Sequence, residues 1–131
     1  MRQDLGAVII AASGNKGLEI PFYPGSYNDV FSVAGSRPND AKTGSSNYHH
    51  SVDLSAPGID IYSTTVNGAF TIESGTSMAV PMASGAAALL MTQDPNLNAS
   101  ELEAILQASA TNTDLLNAPY LRKLGSGRLN V

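Results

Sequence analysis

Residues 77–92 constrain the fold more than any other part of this sequence. The segment reads SMAVPMASGAAALLMT, carries no charged side chain and ends at Asp94-Pro95. A helix that is apolar on all sides is normally buried, so we predict a helix over residues 77–92 inside a core. The composition agrees with this, because only 14% of the residues are charged, against about 25% in ordinary soluble domains.

Short apolar runs before this helix predict the strands of a sheet. Residues 5–12 (LGAVIIAA) end at a Gly-rich turn, which predicts a strand buried on both faces. A second helix is predicted at 100–110, where Asn98 or Ser100 can cap the helix start. Further strands are predicted at 31–34, 52–55, 61–65 and 69–73, with a hairpin turn at Asn67-Gly68 and a terminal strand or extended arm at 125–131.

Buried strands mixed with helices predict an α/β fold with a mostly parallel sheet. Parallel strands need crossover connections, which are usually helices. No helix is predicted between residues 12 and 31 or between residues 34 and 52. The first strand therefore needs cover from sequence upstream or from a partner, and we expect the chain to associate with itself when it is alone.

Charge and composition exclude several classes of function. The formal net charge is −4, which argues against nucleic-acid binding because that relies on clustered Lys and Arg. No apolar run is long enough to span a membrane, and no signal peptide follows Met1. With no Cys in the sequence, disulfides and thiolate metal sites are excluded.

Ser77 is the residue in this pattern that can carry chemistry. It lies at the predicted junction of strand 69–73 and helix 77–92, where free N–H groups and the helix dipole can stabilise an oxyanion. Pro81 has no N–H to donate to the Ser77 carbonyl, so that carbonyl stays free. By itself the pattern favours a plain helix cap, because serine is a preferred N-cap residue.

Five segments, in order along the chain, resemble the subtilisin-like serine proteases (subtilases, peptidase S8). The nucleophile motif is GTSMAVP at 75–81, and the strand and turn that carry the oxyanion-hole asparagine are VIIAASGNKG at 8–17. The resemblance makes residues 1–131 the C-terminal portion of such a peptidase domain. It implies a partial three-layer α/β fold in which a buried helix follows the serine. The other matching segments are 23–27 with 30–35, 53–58 with 61–63, and 125–131.

The resemblance implies a serine endopeptidase that hydrolyses peptide bonds through an acyl-enzyme on Ser77. It gives Asn15 the role of the oxyanion-hole asparagine, beside the backbone N–H of the serine. The hydroxyl needs a base, which in this family is a histidine oriented by an aspartate. Both precede the segment that matches 8–17, so we expect them to be missing from this sequence.

His49 and His50 are the two histidines of the sequence. They lie in a polar loop that contributes no triad member in the family pattern, so we expect solvated loop residues. Two adjacent histidines without further ligands are also weak support for a metal site.

The resemblance also implies a substrate pocket and a cation site. Lys16 and Phe22 match positions that tune the charge and depth of the S1 pocket, which predicts small or acidic substrate side chains. No cofactor is required, but a structural calcium or a monovalent cation fits backbone carbonyls of the family type. The wall of the pocket is assigned to Ala12, Ser13 and Gly14, the cation ligands are assigned to Gly25, Tyr27 and Val30, and the Tyr23-Pro24 bond is expected to be cis.

Two functions remain open from the sequence. In the first, the chain is part of a protease that acts on polypeptides and pairs with the N-terminal half of the domain or with itself; the family implies an extracellular location. In the second, it is a catalytically silent half-domain, or pseudoenzyme, that serves as a binding or structural module. An unrelated α/β-hydrolase fails, because 75–79 does not read G-x-S-x-G. Met82 stands where the family usually has a structural histidine, so only the packing should differ.

Overall fold

A computed structural model describes residues 7–131 of the chain. Three parallel strands form the main sheet in the order β1-β2-β3, and β4 and β5 form a separate antiparallel hairpin. The predicted α/β class with a mostly parallel sheet is confirmed. The elements are β1 Ile10–Ala12, β2 Phe31–Ser36, β3 Leu54–Pro57, β4 Ile61–Thr64, β5 Phe70–Glu73, α1 Thr76–Gln93 and α2 Ala99–Ser109, with short 3-10 helices at Val66–Gly68 and Ala118–Tyr120.

The core lies between the sheet and α1. All six residues of β2 are buried, because β2 has a strand on each side and α1 packs across it. The buried face of α1 consists of small residues, which allow the helix axis to approach the sheet closely. Its members are Thr76, Ala79, Ala83, Ala86 and Ala87.

Burial of α1 is confined to this one face. Leu89 is 61% exposed and Met91 is 40% exposed, because the described residues beside them leave open grooves toward α2 and toward β1, respectively. β1 departs from its prediction in the same way. Its residues are half-buried instead of buried on both faces, since β1 has a neighbour strand only on the β2 side within residues 7–131. Leu5 and Gly6 of the predicted strand lie outside the described residues.

The C-terminal segment lies along the other edge of the sheet. Ser55 donates its N–H to the Gly127 carbonyl at 2.8 Å, and Leu129 donates to the Ser55 carbonyl at 2.7 Å. The predicted extended arm at 125–131 therefore covers the free edge of β3. The predicted turn residues Asn67 and Gly68 both have positive φ, of 60° and 71°, inside the 3-10 helix that joins β4 to β5.

The carboxyl ends of the parallel strands position the candidate site. The turn that follows β1 carries Asn15, and the turn that follows β3 contacts the start of α1 through Gly58. Ligand sites of α/β folds generally lie at this edge of the sheet. No helix in the described part of the chain is long and apolar enough to cross a membrane.

Candidate active site

A sharp turn presents Ser77 at the start of α1. Gly75 precedes the helix with φ 152°, a conformation that favours glycine. Its N–H donates to the Gly58 carbonyl at 2.8 Å, which ties the turn to the carboxyl end of β3. Ser77 is exposed at the second position of α1, and its N–H has no hydrogen-bond acceptor among residues 7–131.

The Asn15 side chain lies against the same helix start. Its Oδ1 accepts hydrogen bonds from the Thr76 N–H at 2.9 Å and from the Thr76 hydroxyl at 3.0 Å. A backbone N–H can only donate, so the accepting atom must be the oxygen and the orientation of the amide is determined. The Asn15 Nδ2 group therefore keeps its N–H donors for another acceptor. The fold thus brings together Asn15 and Ser77, which are far apart in sequence.

Electrostatics at this helix start favour an anion. The N-terminus of a helix carries partial positive charge and unsatisfied N–H groups. The first turn of α1 contains no acidic side chain, and its cap residue is Gly75, which has no side chain to accept a hydrogen bond from the helix start. The Ser77 N–H and the Asn15 Nδ2 group make no hydrogen bond within residues 7–131, so both donors are available to a negative group at this helix start.

Of the residues predicted to form the S1 pocket, Gly14 and Phe22 are in contact. Ser13 and Gly14 are buried and Ala12, the last residue of β1, is half-buried, while Lys16 is exposed. A Cβ atom added at Gly14 would lie 2.7 Å from Cγ of Phe22, so the Phe22 ring lies directly against Gly14. This contact explains why position 14 needs a glycine.

The hairpin forms a cavity beside Ser77 that the sequence did not predict. The cavity, about 320 Å³ in volume, lies between the β4–β5 hairpin and the first turns of α1. Hydrophobic periodicity offers no signal for it, because the hairpin and helix meet only through the tertiary fold. Ser77, Met78, Pro81 and Met82 of α1 line one side, and Tyr62 and Glu73 contribute from the hairpin.

The predicted cation ligands lie near a second, polar cavity. Tyr27 and Val30 line this cavity of about 150 Å³ together with Asp53 and Glu103, which makes its wall rich in oxygen atoms. Gly25 is not part of the wall; it packs against the Ala12 carbonyl. The Tyr23-Pro24 bond is cis, as predicted. Among the described residues, no group of three or more His, Cys, Asp or Glu side chains is arranged to hold a metal.

His49 and His50 make contacts away from the helix start. The His49 Nδ1 atom lies 2.9 Å from the Ser51 hydroxyl, and the two imidazole rings are 4.1 Å apart. Burial lowers the pKa of His49 and the neighbouring His50 lowers it further. Nearby, the hydrogen bond from Lys123 lowers the pKa of the Glu19 carboxylate, 2.7 Å away.

Known proteins share both the sequence and the fold of this chain. A model of the subtilase family (peptidase S8) matches residues 1–127. Thermitase of Thermoactinomyces vulgaris is 41% identical over 105 residues, which are 80% of this chain and 37% of thermitase. Subtilisin DY of Bacillus licheniformis is 36% identical over 130 residues, which are 96% of this chain and 46% of that protein.

Solved structures agree with these sequence matches. The prenylagaramide maturation protease PagA is 32% identical and superposes with a TM-score of 0.89, covering 98% of this chain and 49% of that one. The chain thus spans less than half the length of the relatives it matches. The α/β fold, the exposed serine at the start of a core-packed helix and the asparagine amide bonded to that helix start agree with the family match. The chain belongs to the subtilase family.

Proposed function

We propose that this chain is part of a subtilisin-type serine endopeptidase in which Ser77 is the nucleophile and Asn15 forms the oxyanion hole. The observation that carries the proposal is the contact between Asn15 Oδ1 and the Thr76 N–H at 2.9 Å. It orients the Asn15 amide so that Nδ2 keeps its donors, near the backbone of Gly75 at the start of α1. In this proposal Nδ2 and the Ser77 N–H are the two neutral donors to a developing oxyanion.

The reaction follows from these groups. The Ser77 Oγ atom attacks the carbonyl carbon of a peptide bond while a base removes the hydroxyl proton. The carbonyl oxygen becomes an anion and accepts hydrogen bonds from Asn15 Nδ2 and the Ser77 N–H. Loss of the amine leaves an acyl-enzyme on Ser77, which water hydrolyses. We assign the base to a histidine, oriented by an aspartate, in the part of the domain that corresponds to the rest of the relatives' length.

The substrate is a polypeptide, and we assign its S1 pocket to Ala12, Ser13, Gly14, Lys16 and Phe22. The contact of the Phe22 ring with Gly14 supports a shallow pocket for small side chains. Exposed Lys16 adds a positive charge that suits acidic ones. A preference for large aromatic side chains next to the cleaved bond would contradict this assignment.

Labelling with a fluorophosphonate probe tests the proposal. We expect modification of Ser77, detected by intact mass, when the N-terminal half of the domain is supplied, because that half carries the base, and none in Ser77→Ala. Asn15→Ala should slow the labelling about 100-fold, the size of effect expected for loss of one oxyanion donor. Asn130→Ala, an exposed asparagine at the C-terminus, is the matched control and should react like the unmodified protein. Equal labelling rates in Asn15→Ala and the control would exclude Asn15 from the oxyanion hole.

A catalytically silent module is the second candidate function. Its support is the placement of His49, which hydrogen-bonds Ser51 and packs at a tilt against the His50 ring, with no hydrogen bond to the hydroxyl of Ser77. A folded chain that binds peptide but leaves Ser77 unlabelled, even when the N-terminal half of the domain is supplied, would favour this module.

Location and cation binding complete the proposal. One relative, 46% identical over 103 residues, is the cell wall-associated protease of Bacillus subtilis, and its name supports an extracellular location. The oxygen-rich wall around Tyr27 and Val30 supports a structural calcium or monovalent cation, because hard cations prefer oxygen ligands. The chemistry at Ser77 itself uses no cofactor.

A further inference from the structure

We infer that Asn47 is the residue that positions the oxyanion hole. The inference rests on the function proposed for Asn15, and it assigns to Asn47 the task of holding the turn that carries Asn15. Asn47 is fully buried and lies 32 positions further along the chain. It acts through Asn15, so it is a positioning residue and does not contact the substrate.

Asn47 forms hydrogen bonds with the turn on both sides of Asn15. The Asn47 N–H donates to the Gly14 carbonyl at 2.8 Å. The Asn47 Oδ1 atom accepts from the Lys16 N–H at 2.8 Å and from the Leu18 N–H at 3.3 Å. The residue before Asn15 and the residue after it are therefore both held by one asparagine.

The orientation of the Asn47 amide is determined by these donors. Since backbone N–H groups cannot accept, the atom that faces Lys16 and Leu18 must be Oδ1. This leaves Nδ2 buried and without an acceptor among the described residues. It lies 2.5 Å from the position that a Cβ atom at Gly14 would take, beside the Phe22 ring. A buried donor without an acceptor destabilises the folded state. The two hydrogen bonds accepted by Asn47 Oδ1 offset this cost.

Asn47 is itself held by a rigid segment. The Lys42 ammonium donates to the Thr43 carbonyl and to the Ser46 carbonyl, each at 2.8 Å. It also lies over the rings of Tyr48 and Tyr120, at 5.3 and 4.8 Å. The Lys42 ammonium thus holds the backbone of segment 43–47 in place. Asn47, at the end of this segment, in turn holds the turn 13–17.

Loss of the Asn47 acceptor should release Asn15. Without Oδ1, the Lys16 and Leu18 N–H groups have no partner inside the protein and the turn must move to reach water. The Asn15 amide would then leave the Thr76 N–H, which is its anchor at the start of α1. A side chain that keeps an acceptor at this place should preserve the anchor.

Amide hydrogen exchange measured by NMR tests this without any need for activity. In Asn47→Leu, which has no acceptor, the Thr76 amide should exchange about tenfold faster relative to the Leu106 amide in α2. In Asn47→Asp, which keeps the acceptor, the Thr76 ratio should stay within about twofold of the unmodified protein. Ser55→Ala removes a buried hydrogen bond to Gly127 elsewhere and is the stability control, with an unchanged ratio.

Two results would overturn the inference. One is a Thr76 ratio in Asn47→Leu equal to that of the control; the other is equally fast exchange in Asn47→Leu and Asn47→Asp. If Asn47→Leu does not fold, the unmodified chain is measured instead. The Asn15 side-chain amide should have an NMR order parameter of about 0.8. A value below about 0.6 would show that nothing positions this amide and would overturn the inference.

The labelling experiment separates this inference from the proposed function. If Ser77 reacts with the fluorophosphonate, Asn47→Leu should slow the labelling about tenfold, and Asn47→Asp should restore most of the rate. If Ser77 does not react even when the N-terminal half of the domain is supplied, while the Thr76 exchange behaves as expected, the proposed function fails and the positioning role of Asn47 stands.

Discussion

At the residue scale, Lys42 shows how this chain buries a cation without a carboxylate. Its ammonium group meets the Thr43, Gly44 and Ser46 carbonyls and two tyrosine rings. No ion pair of Lys42 with a carboxylate is found in the part of the chain that the structure describes. Burial lowers the pKa of Lys42, and the charge of Arg37 lowers it further. Carbonyl oxygens and ring faces replace part of the lost hydration.

Lys42→Met should lower the free energy of unfolding by about 2 kcal/mol, because buried carbonyls lose their donors. Urea denaturation at pH 7 measures this. Lys123→Met is the matched control, since Lys123 makes a surface ion pair with Glu19 and should change stability by less than about 1 kcal/mol. Equal effects in the two variants would mean that the Lys42 contacts contribute nothing specific.

The pH dependence of the free energy of unfolding, compared between Lys42→Met and Lys123→Met, checks the lowered pKa of Lys42. The folded pKa of Lys42 lies below the 10.5 of an ordinary lysine. Between these two values the unfolded chain binds more protons than the folded one, so the Lys42 contribution makes the free energy of unfolding rise with pH. Lys42→Met should lose this rise, whereas Lys123→Met should keep it.

At the element scale, the two helices begin in opposite ways. The start of α2 is closed by a capping box, in which Asn98 Oδ1 accepts from the Glu101 N–H at 3.0 Å and Glu101 Oε2 accepts from the Asn98 N–H at 2.9 Å. The start of α1 has a glycine as its cap and no acidic side chain in its first turn. The start of α1 therefore leaves the Ser77 N–H without an acceptor among residues 7–131, while the start of α2 uses its donors for stability.

Asn98→Ala should reduce the free energy of unfolding by about 1 kcal/mol, because both bonds of the capping box are lost. Thermal or urea unfolding measures the change. Ser100→Ala, at an exposed position of the same helix, leaves the cap bonds between Asn98 and Glu101 intact and should be neutral or slightly stabilising, since alanine favours helix. Equal losses in both variants would contradict a role for the cap.

At the scale of the whole molecule, one edge of the sheet is covered and the other is open. The C-terminal arm covers the edge of β3, whereas β1 has no strand on its outer side within residues 7–131. An open apolar groove runs beside β1, with Val8, Ile10, Ala87 and Met91 in its walls. Unpaired strand edges next to apolar surface readily associate with other chains.

We therefore expect the isolated chain to form dimers or larger species as its concentration rises. Light scattering after size exclusion measures this. Ile9→Lys places a charge next to the β1 edge, where Ile9 is 46% exposed, and should shift the chain toward monomer. Leu115→Lys, at a leucine that is 96% exposed elsewhere, should leave the association unchanged. A monodisperse monomer at every concentration of the unmodified chain would contradict the prediction.

Local patterns were sufficient for most of the elements, and they name two residues of the candidate site, whose roles stay predictions. A short apolar run, FSVA at 31–34, predicts β2, and a charge-free run rich in small residues predicts α1, because each pattern reports on its own neighbours in sequence. Ser77 and Asn15 follow from short motifs at the ends of such elements. The error at β1 arises because burial depends on what lies beside a strand, which its own sequence does not report.

The tertiary structure alone decided how distant side chains meet. Asn47 hydrogen-bonds a turn about 30 residues earlier in the chain. Lys42 contacts the rings of Tyr48 and Tyr120, which come from two segments. Tyr62 and Ser77 line the same cavity. Polar residues in loops carry no periodic signal, so their partners cannot be read from spacing. The sequence by itself determined which residues can do chemistry; only the packing of the turns onto the sheet decided which side chains hold them in place, because those hydrogen bonds join segments that are remote along the chain.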